Sequence, residues 1–263
     1  MLKAPVRATL KLDMHALERL GRPIFALMIA ALGVENVVVA RSGAIVTPVL
    51  PWLPAHHPFW AVCVGVALLA LATGILIDSW AWTAATSLGI GLTAYALVRQ
   101  VSGLIEHPLD VSVRTGVFEV LALAGAALAL ATTLPRPTRA LDKVIGAGRF
   151  LFAVSMVVFG IDHFIVLDLI ISLVPSWIPG GGWFWAVLTG AGMIAAGLSF
   201  ATRVQVRLLG LLLAAMFGLW FLLLHAPRVA QPPRSYNPDE WSSAFIALAM
   251  CGSSLIMVRA LRR

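Results

Sequence analysis

The residues best suited to chemistry are two acids that lie inside long apolar stretches. Asp162, followed by His163, lies in one stretch, and Glu35, followed by Asn36, lies in another. The two acids are 127 positions apart in the sequence. A carboxyl group within a membrane is costly, which makes it a candidate functional group. An acid beside an imidazole can take up and release protons near neutral pH.

Asp162 lies 13 residues beyond Arg149, about 20 Å along a helix, and is therefore predicted in the outer half of a bilayer. Other candidate site residues are predicted at the same outer end: Trp177, Trp185, His225, Arg228 and Glu240. Glu119 is predicted either to line this pocket or to cap the outer N-terminus of its helix. Glu35, Asn36 and Glu119 are the predicted counterpart of the site in the first half.

Several cofactor classes are disfavoured by the sequence. It contains no Cys-x-x-Cys, Cys-x-x-Cys-His or P-loop motif, so attached haem, thiol redox chemistry and P-loop nucleotide binding are not indicated. A bis-histidine haem would need two facing imidazoles at similar depth, which only His163 with His225 or His107 could supply, and it is disfavoured. A zinc site built from Asp162, His163 and His225 is disfavoured too, since no helical His-x-x-x-His or Glu-x-x-His pair occurs. No metal site is assigned. An alternative to any ligand site is a polar clamp between helices, in which Asp162 bonds a histidine or a tryptophan.

Composition places the chain among membrane proteins. Its 263 residues are 60% hydrophobic and 12% charged, whereas soluble proteins have about a quarter of charged residues. Eight apolar stretches are long enough to cross a bilayer, and backbone groups in lipid must bond internally, so each is predicted to be a helix. The predicted spans are 23–41, 59–79, 80–99, 115–134, 149–173, 183–202, 205–225 and 242–260. The predicted fold class is an all-α integral membrane protein with eight transmembrane helices.

These helices are predicted to form two parallel four-helix repeats. The stretch that begins at Gly21-Arg22 recurs as the stretch that begins at Gly148-Arg149. Because each repeat has an even number of helices, both copies have the same orientation in the membrane. The predicted domains are an N-terminal segment 1–20, a first repeat 21–134, a linker 135–147 and a second repeat 148–263. In the N-terminal segment Leu10, Met14 and Leu17 share one face of a predicted interfacial helix.

The distribution of charge predicts the orientation. Fourteen of the 19 Lys and Arg residues fall on the side that holds both termini, so by the positive-inside rule both termini are predicted to be cytoplasmic. The predicted location is a bacterial-type inner membrane. The net charge of +7 is then explained by topology and lipid headgroups. The lipid bilayer is therefore a predicted partner and nucleic acid is not, while the oligomeric state stays open.

The chain resembles the DoxX-like family of four-helix membrane proteins, most closely over residues 148–260. The resemblance is carried, in this order, by Gly148-Arg149, Gly160-Ile-Asp162-His163, Pro175-Ser-Trp-Ile-Pro179, Phe184-Trp185, His225-Ala-Pro-Arg228 and Glu240-Trp241. The first half resembles a degenerate copy, with Asn36 where the second half has His163. The resemblance implies a role linked to quinone redox chemistry, since the family is associated with a terminal quinol oxidase and with thiosulfate:quinone oxidoreduction.

Three hypotheses of function follow, and whether the chain is an enzyme stays open. In the leading one the chain is a quinone-binding membrane subunit that exchanges electrons with a redox partner protein. Its predicted roles are proton handling for Asp162 and His163, bonds to the quinone head for His225 and Arg228, and pocket walls for Trp177 and Trp185. The second is a transporter or channel for a small solute or lipid, with Glu35 and Asp162 as paired proton or cation sites. The third is a non-catalytic assembly partner.

Overall fold

The structure is a computed structural model that describes residues 14–41, 58–230 and 238–262. Within these ranges the chain forms twelve α-helices and two π-helical segments, in the following order: α1 (Met14–Arg19), α2 (Gly21–Arg41), α3 (Pro58–Leu76), α4 (Ala81–Tyr95), π1 (Ala96–Gln100), α5 (Val101–Glu106), α6 (Val111–Ala131), α7 (Asp142–Ile165), α8 (Leu167–Leu173), α9 (Gly181–Thr202), α10 (Val206–Trp220), π2 (Phe221–His225), α11 (Ala226–Ala230) and α12 (Pro238–Leu261). We refer to α2 to α6 as the first half and to α7 to α12 as the second half.

The fold is that of an all-α membrane protein, as the sequence predicted. Eight helical spans in the described residues are long and apolar enough to cross a bilayer. The fifth predicted span, 149–173, is displaced toward the N-terminus, because its helix α7 begins at Asp142 and ends at Ile165. Val166, with φ −109° and ψ 39°, separates it from the short helix α8. The apolar composition continues through this break, so hydropathy alone could not locate it.

Two helices form the centre of the bundle, α6 from the first half and α12 from the second. α6 packs against α7 of the other half, and α12 packs against α2 of the other half. α6 and α12 also pack against each other. The first and last long helices of the two halves therefore build the interface between them, while α3 packs outside α2 and α9 packs outside α7.

Two pairs of glycines bring these interface helices close together. A Cβ atom on Gly125 would lie 2.5 Å from the carbonyl oxygen of Gly148, and one on Gly21 would lie 2.9 Å from the carbonyl oxygen of Gly252. Only glycine tolerates such an approach of two backbones, as in other membrane helix pairs. Gly148 lies 127 positions after Gly21, and Gly252 lies 127 positions after Gly125. The same crossing thus occurs twice at one sequence offset.

These contacts define the two ends of the bundle. The crossings join the beginnings of α2 and α7 to the last turns of α12 and α6. We call this the terminal end, because α1 and the last described residues lie there too. Glu18 of α1 is buried, and its two carboxylate oxygens accept hydrogen bonds from Arg262 Nη1 at 2.5 and 2.6 Å. Of the predicted interfacial helix, Leu10 lies outside the described residues. The opposite end of the bundle is called the far end.

Each half contains one π-helical segment at a matching place. Fifteen α-helical residues precede π1 in α4, and 15 precede π2 in α10. The N–H of Val101 bonds the carbonyl of Ala96, and the N–H of Ala226 bonds the carbonyl of Phe221. These i→i+5 bonds give each helix one residue more than a regular α-turn holds. Such π-bulges often occur at functional sites.

Candidate functional site

The first polar group at the far end is an ion pair between the two halves. Arg114 of α6 donates from Nε to Asp162 Oδ1 of α7 at 2.7 Å, and its Nη2 donates to the same oxygen. Arg114 Nη1 also donates to the carbonyl oxygen of Pro108 at 3.0 Å. Asp110 caps α6 by accepting from the backbone N–H groups of Ser112 and Val113, which sets the start of the helix and the place of Arg114.

This ion pair is buried within the protein. Asp162 is 4% exposed, and the side chain of Arg114 is 15% exposed. A buried carboxylate needs such a partner, because the loss of hydration is offset only by close opposite charge and hydrogen bonds. Among the described residues, Asp162 Oδ2 has no hydrogen-bond partner. The clamp hypothesis named a histidine or tryptophan as the partner of Asp162, but the partner is an arginine from the other half.

Glu35 makes the corresponding contact from the first half to the second half. It is buried in α2, and its Oε1 accepts a hydrogen bond from Ser242 Oγ of α12 at 2.8 Å. Ser242 lies in the second turn of α12, as Arg114 lies in the second turn of α6. Both acids therefore approach a helix N-terminus, where a negative charge is favoured. Each half thus contributes one buried acid that bonds the last long helix of the other half.

His163 points away from this ion pair and into the second half. Its Nδ1 is 2.9 Å from the carbonyl oxygen of Phe159, and its ring is stacked on that of Trp220, with centroids 5.4 Å apart and planes 4° apart. Gly190 makes room for it, because a Cβ there would lie 3.0 Å from His163 Cβ. A carbonyl can only accept, so Nδ1 carries a hydrogen and Nε2 is an acceptor in the neutral ring. Nε2 is buried and has no partner among the described residues.

His225 is placed near the same region by π2. In an α-helix, the residue five positions after Trp220 would lie about 140° around the axis. The π-turn, which bonds residue i to residue i+5, brings His225 back toward the side that carries Trp220. His225 Nδ1 is buried and unpartnered in the described part of the chain. The charges of Arg228 and Glu240, both half-buried, act on this ring.

Two tryptophans were predicted to form walls of the pocket, and the structure places both at the loop between α8 and α9. Trp177 is 68% exposed, in the loop between α8 and α9. Trp185 donates from Nε1 to the carbonyl oxygen of Pro179 at 2.8 Å, which fastens that loop to the first turn of α9. Gly180, with φ 99°, provides the left-handed turn between them. Trp220, which sequence reasoning did not single out, is the ring that contacts His163.

Glu119 does not cap α6, which leaves the pocket-lining alternative as a prediction. α6 begins at Val111 with Asp110 as its cap, which puts Glu119 in the third turn. Five residues separate it from Arg114, so the two side chains leave the helix about 140° apart. Glu119 lies one turn after Gly116, whose carbonyl oxygen accepts a bond from Gln100 Nε2 at 3.5 Å. Glu119 therefore belongs to the side of α6 that faces π1.

Sequence reasoning also missed the role of Arg114, which was counted only as an outer charge. A signal was available, because a buried acid requires a cation or donors near it.

Within the described residues, no group of three or more His, Cys, Asp or Glu side chains could hold a metal ion. Cys63 and Cys251 are free thiols.

Comparisons with family models, with curated proteins and with solved structures find no match for this chain.

Proposed function

We propose that the far end of the second half binds the hydroxyl-bearing head of a lipophilic molecule, best represented by a quinol. The observation that carries this proposal is the buried, unpartnered Nε2 of His163 on a ring held flat against Trp220. In lipid, a buried polar atom without a partner costs several kcal/mol, on the order of a lost hydrogen bond or more. A ligand that supplies a hydrogen-bond donor would remove this cost.

The unpartnered atoms are hydrogen-bond acceptors, which favours a ligand that donates hydrogen bonds. His163 Nε2 is an acceptor, and Asp162 Oδ2 can only accept while it is ionised. His225 Nδ1 is an acceptor in the tautomer that carries its hydrogen on Nε2. A quinol head offers two hydroxyl donors on a flat ring, and its apolar tail suits the bilayer around the helices. A bound quinol supplies two protons and two electrons when it is oxidised.

Each polar residue of the site has its own role in this proposal. His163 and His225 accept hydrogen bonds from the hydroxyl groups and then the protons, with imidazole as the base. Arg114 donates to the carboxylate of Asp162, the residue before His163 in α7. Arg228 and Glu240 balance the charge around His225. The electrons pass to a separate redox partner protein.

The wider context of the proposal comes from the sequence. The resemblance to the DoxX-like family connects the chain to quinone chemistry. The matched glycine crossings and π segments support an origin by duplication of a four-helix unit. The distribution of Lys and Arg supports an inner membrane location with both termini in the cytoplasm.

Equilibrium binding of a decyl-substituted benzoquinol to the detergent-purified chain tests the proposal. His163→Leu and His225→Leu should each weaken binding about tenfold, the effect of losing about 1.4 kcal/mol. His107→Leu is the matched control, because His107 is exposed at the end of α5. Equal affinities for all three variants and the unaltered chain would refute the proposal.

A second candidate is a non-catalytic assembly role, and the ion pair between Arg114 and Asp162 favours it. In this case the polar groups only hold the two halves together. Asp162→Asn would then lower stability without a separate effect on quinol turnover. The same ion pair gives less support to transport through a cation site at Asp162, because its carboxylate is already paired with Arg114.

A further inference from the structure

We propose that the first half contains a second binding site for the same class of ligand, in which Asn36 and Gln100 replace the two histidines. This site would bind a hydroxyl-bearing head without a histidine to take up its protons. The inference rests on the function proposed above for the second half. Its basis is that Asn36 and Gln100 occupy the places of His163 and His225, and that Gln100 Oε1 is buried without a partner in the described part of the chain.

The first correspondence is between His163 and Asn36, which are 127 positions apart. Asn36 Nδ2 donates to the carbonyl oxygen of Leu32 at 2.8 Å, four residues earlier in α2. His163 Nδ1 bonds the carbonyl oxygen of Phe159, also four residues earlier, in α7. Each side chain thus donates an N–H to its own helix. The remaining acceptor is Oδ1 in Asn36, whose amide keeps a second N–H, and Nε2 in the neutral ring of His163.

The second correspondence is between His225 and Gln100, the last residues of π2 and π1. Gln100 Nε2 donates to the carbonyl oxygen of Gly116, which fixes the orientation of its amide. Its Oε1 is buried and has no hydrogen-bond partner among the described residues. His225 Nδ1 is also buried and has no hydrogen-bond partner among the described residues. The π segments therefore place an open, buried acceptor at the same point of each half.

An aromatic residue directly precedes the π segment in each half. Tyr95 is the last residue of α4, and Trp220 is the last residue of α10, directly before the π segments. In the second half the ring of Trp220 stacks on His163. A flat aromatic surface beside two acceptors suits a flat ring that carries hydroxyl groups. Both halves have the side-chain types for this arrangement.

The difference between the two sites is their ability to titrate. An amide oxygen accepts a hydrogen bond, but it does not take up a proton near neutral pH, whereas imidazole does. The charged neighbours of His225 are missing too, because Gly103 and Val113 stand where the second half has Arg228 and Glu240. Glu119 is the one acid of this side of α6, and it has an isoleucine, Ile246, as its counterpart. The first half thus lacks the two imidazoles that are proposed to accept the protons of the quinol in the second half.

The number of ligands bound per chain tests this inference. The probe is the same decyl-substituted benzoquinol, kept reduced, with the bound amount measured by equilibrium dialysis. Two paired variants are compared with the unaltered chain, Asn36→Leu with Gln100→Leu and His163→Leu with His225→Leu. Circular dichroism checks that each is helical, and Gln100→Met alone serves if the first pair does not fold. Quinol oxidation is measured in parallel with a soluble electron acceptor.

The expected result is two molecules per chain, one of which is lost in each paired variant, with oxidation lost only in the histidine pair. One molecule per chain, lost only in the histidine pair, would overturn the second site and leave the proposed function intact. One molecule lost only in the amide pair would overturn the proposed function instead. No binding to the unaltered chain would overturn both.

Discussion

Arg114 and Asp162 join the two halves of the bundle through a single carboxylate oxygen, Oδ1, which accepts from both Nε and Nη2 of the guanidinium. A side-on contact of this kind leaves Oδ2 of the acid open. The pair therefore connects α6 to α7 and leaves one oxygen of the acid without a partner in the described part of the chain.

Loss of the arginine should destabilise the protein strongly. Arg114→Leu leaves a buried carboxylate without its cation, and breaking a buried pair in this way typically costs about 3–5 kcal/mol. The free energy of unfolding in detergent micelles, measured by chemical denaturation, should fall by this amount. Because the cost arises from the unpaired charge, adding Asp162→Leu to Arg114→Leu should restore much of the stability.

The pair between Arg136 and Asp142 is the control for this prediction. Its atoms are as close, at 2.7 Å, but its side chains are 50% and 38% exposed. Exposed pairs contribute about 0–1 kcal/mol, so Arg136→Leu should change stability little. Equal losses in Arg114→Leu and Arg136→Leu would show that the buried pair has no special role in holding the halves together.

The glycine crossing between α6 and α7 should not tolerate a methyl group. In Gly125→Ala the new Cβ would lie 2.5 Å from the carbonyl oxygen of Gly148 and 2.6 Å from the backbone nitrogen of Phe152. These are backbone atoms, so the helices themselves must separate, at a cost of about 1–3 kcal/mol or more. Thermal unfolding followed by circular dichroism should show a lower midpoint.

Gly91→Ala is the matched substitution in an open place. No atom lies within 4 Å of the Cβ position at Gly91, which is in α4. Alanine is favoured over glycine in a helix by about 0.5–1 kcal/mol, so this variant should be as stable as the unaltered chain or more stable. The prediction fails if Gly125→Ala unfolds no earlier than Gly91→Ala.

The placement of His225 by π2 can be tested with an inserted residue. One alanine inserted between Leu222 and Leu223 should turn His225 by about 100° relative to α10, because π2 already accommodates the one extra residue of this helix. Quinol affinity at the second-half site should then fall at least about tenfold. Leu222 is 60% exposed, so the insertion disturbs little packing there. Binding would be followed by equilibrium dialysis.

The corresponding insertion in the first half serves as comparison. Leu97 lies at the same place in π1 and is 61% exposed. One alanine inserted after it should leave quinol oxidation unchanged, because the proposed proton-exchanging residues lie in the second half. If the insertion after Leu222 leaves both affinity and oxidation as they were, the π segment has no part in placing His225.

The sequence is sufficient for the fold but only partly for the site. Eight spans follow from hydropathy, because length and apolar composition decide whether a helix can cross a bilayer. The break at Val166 does not follow, since it changes backbone angles without changing composition. The start of α6 was placed four residues late because Arg114 was taken as a boundary charge rather than a buried one.

The site shows the same limit. Spacing identified Asp162 and His163 as candidates, yet their side chains face different halves, which depends on helix rotation and not on spacing. The partners Arg114 and Trp220 lie 48 and 57 positions away from Asp162 and His163 respectively, so only the packed structure brings them together. A π-bulge has no signature in hydropathy, and neither Gln100 nor the direction of His225 could be predicted without it.

Mass spectrometry of small molecules extracted from the gently purified chain tests the central claim most directly. We expect a quinone or quinol in at least near-stoichiometric amount. The amount should be smaller in the variant that combines His163→Leu with His225→Leu, and unchanged in His107→Leu. Only bulk phospholipid in all preparations, together with no retention of added quinol, would contradict the claim that the open acceptors at the far end bind such a head.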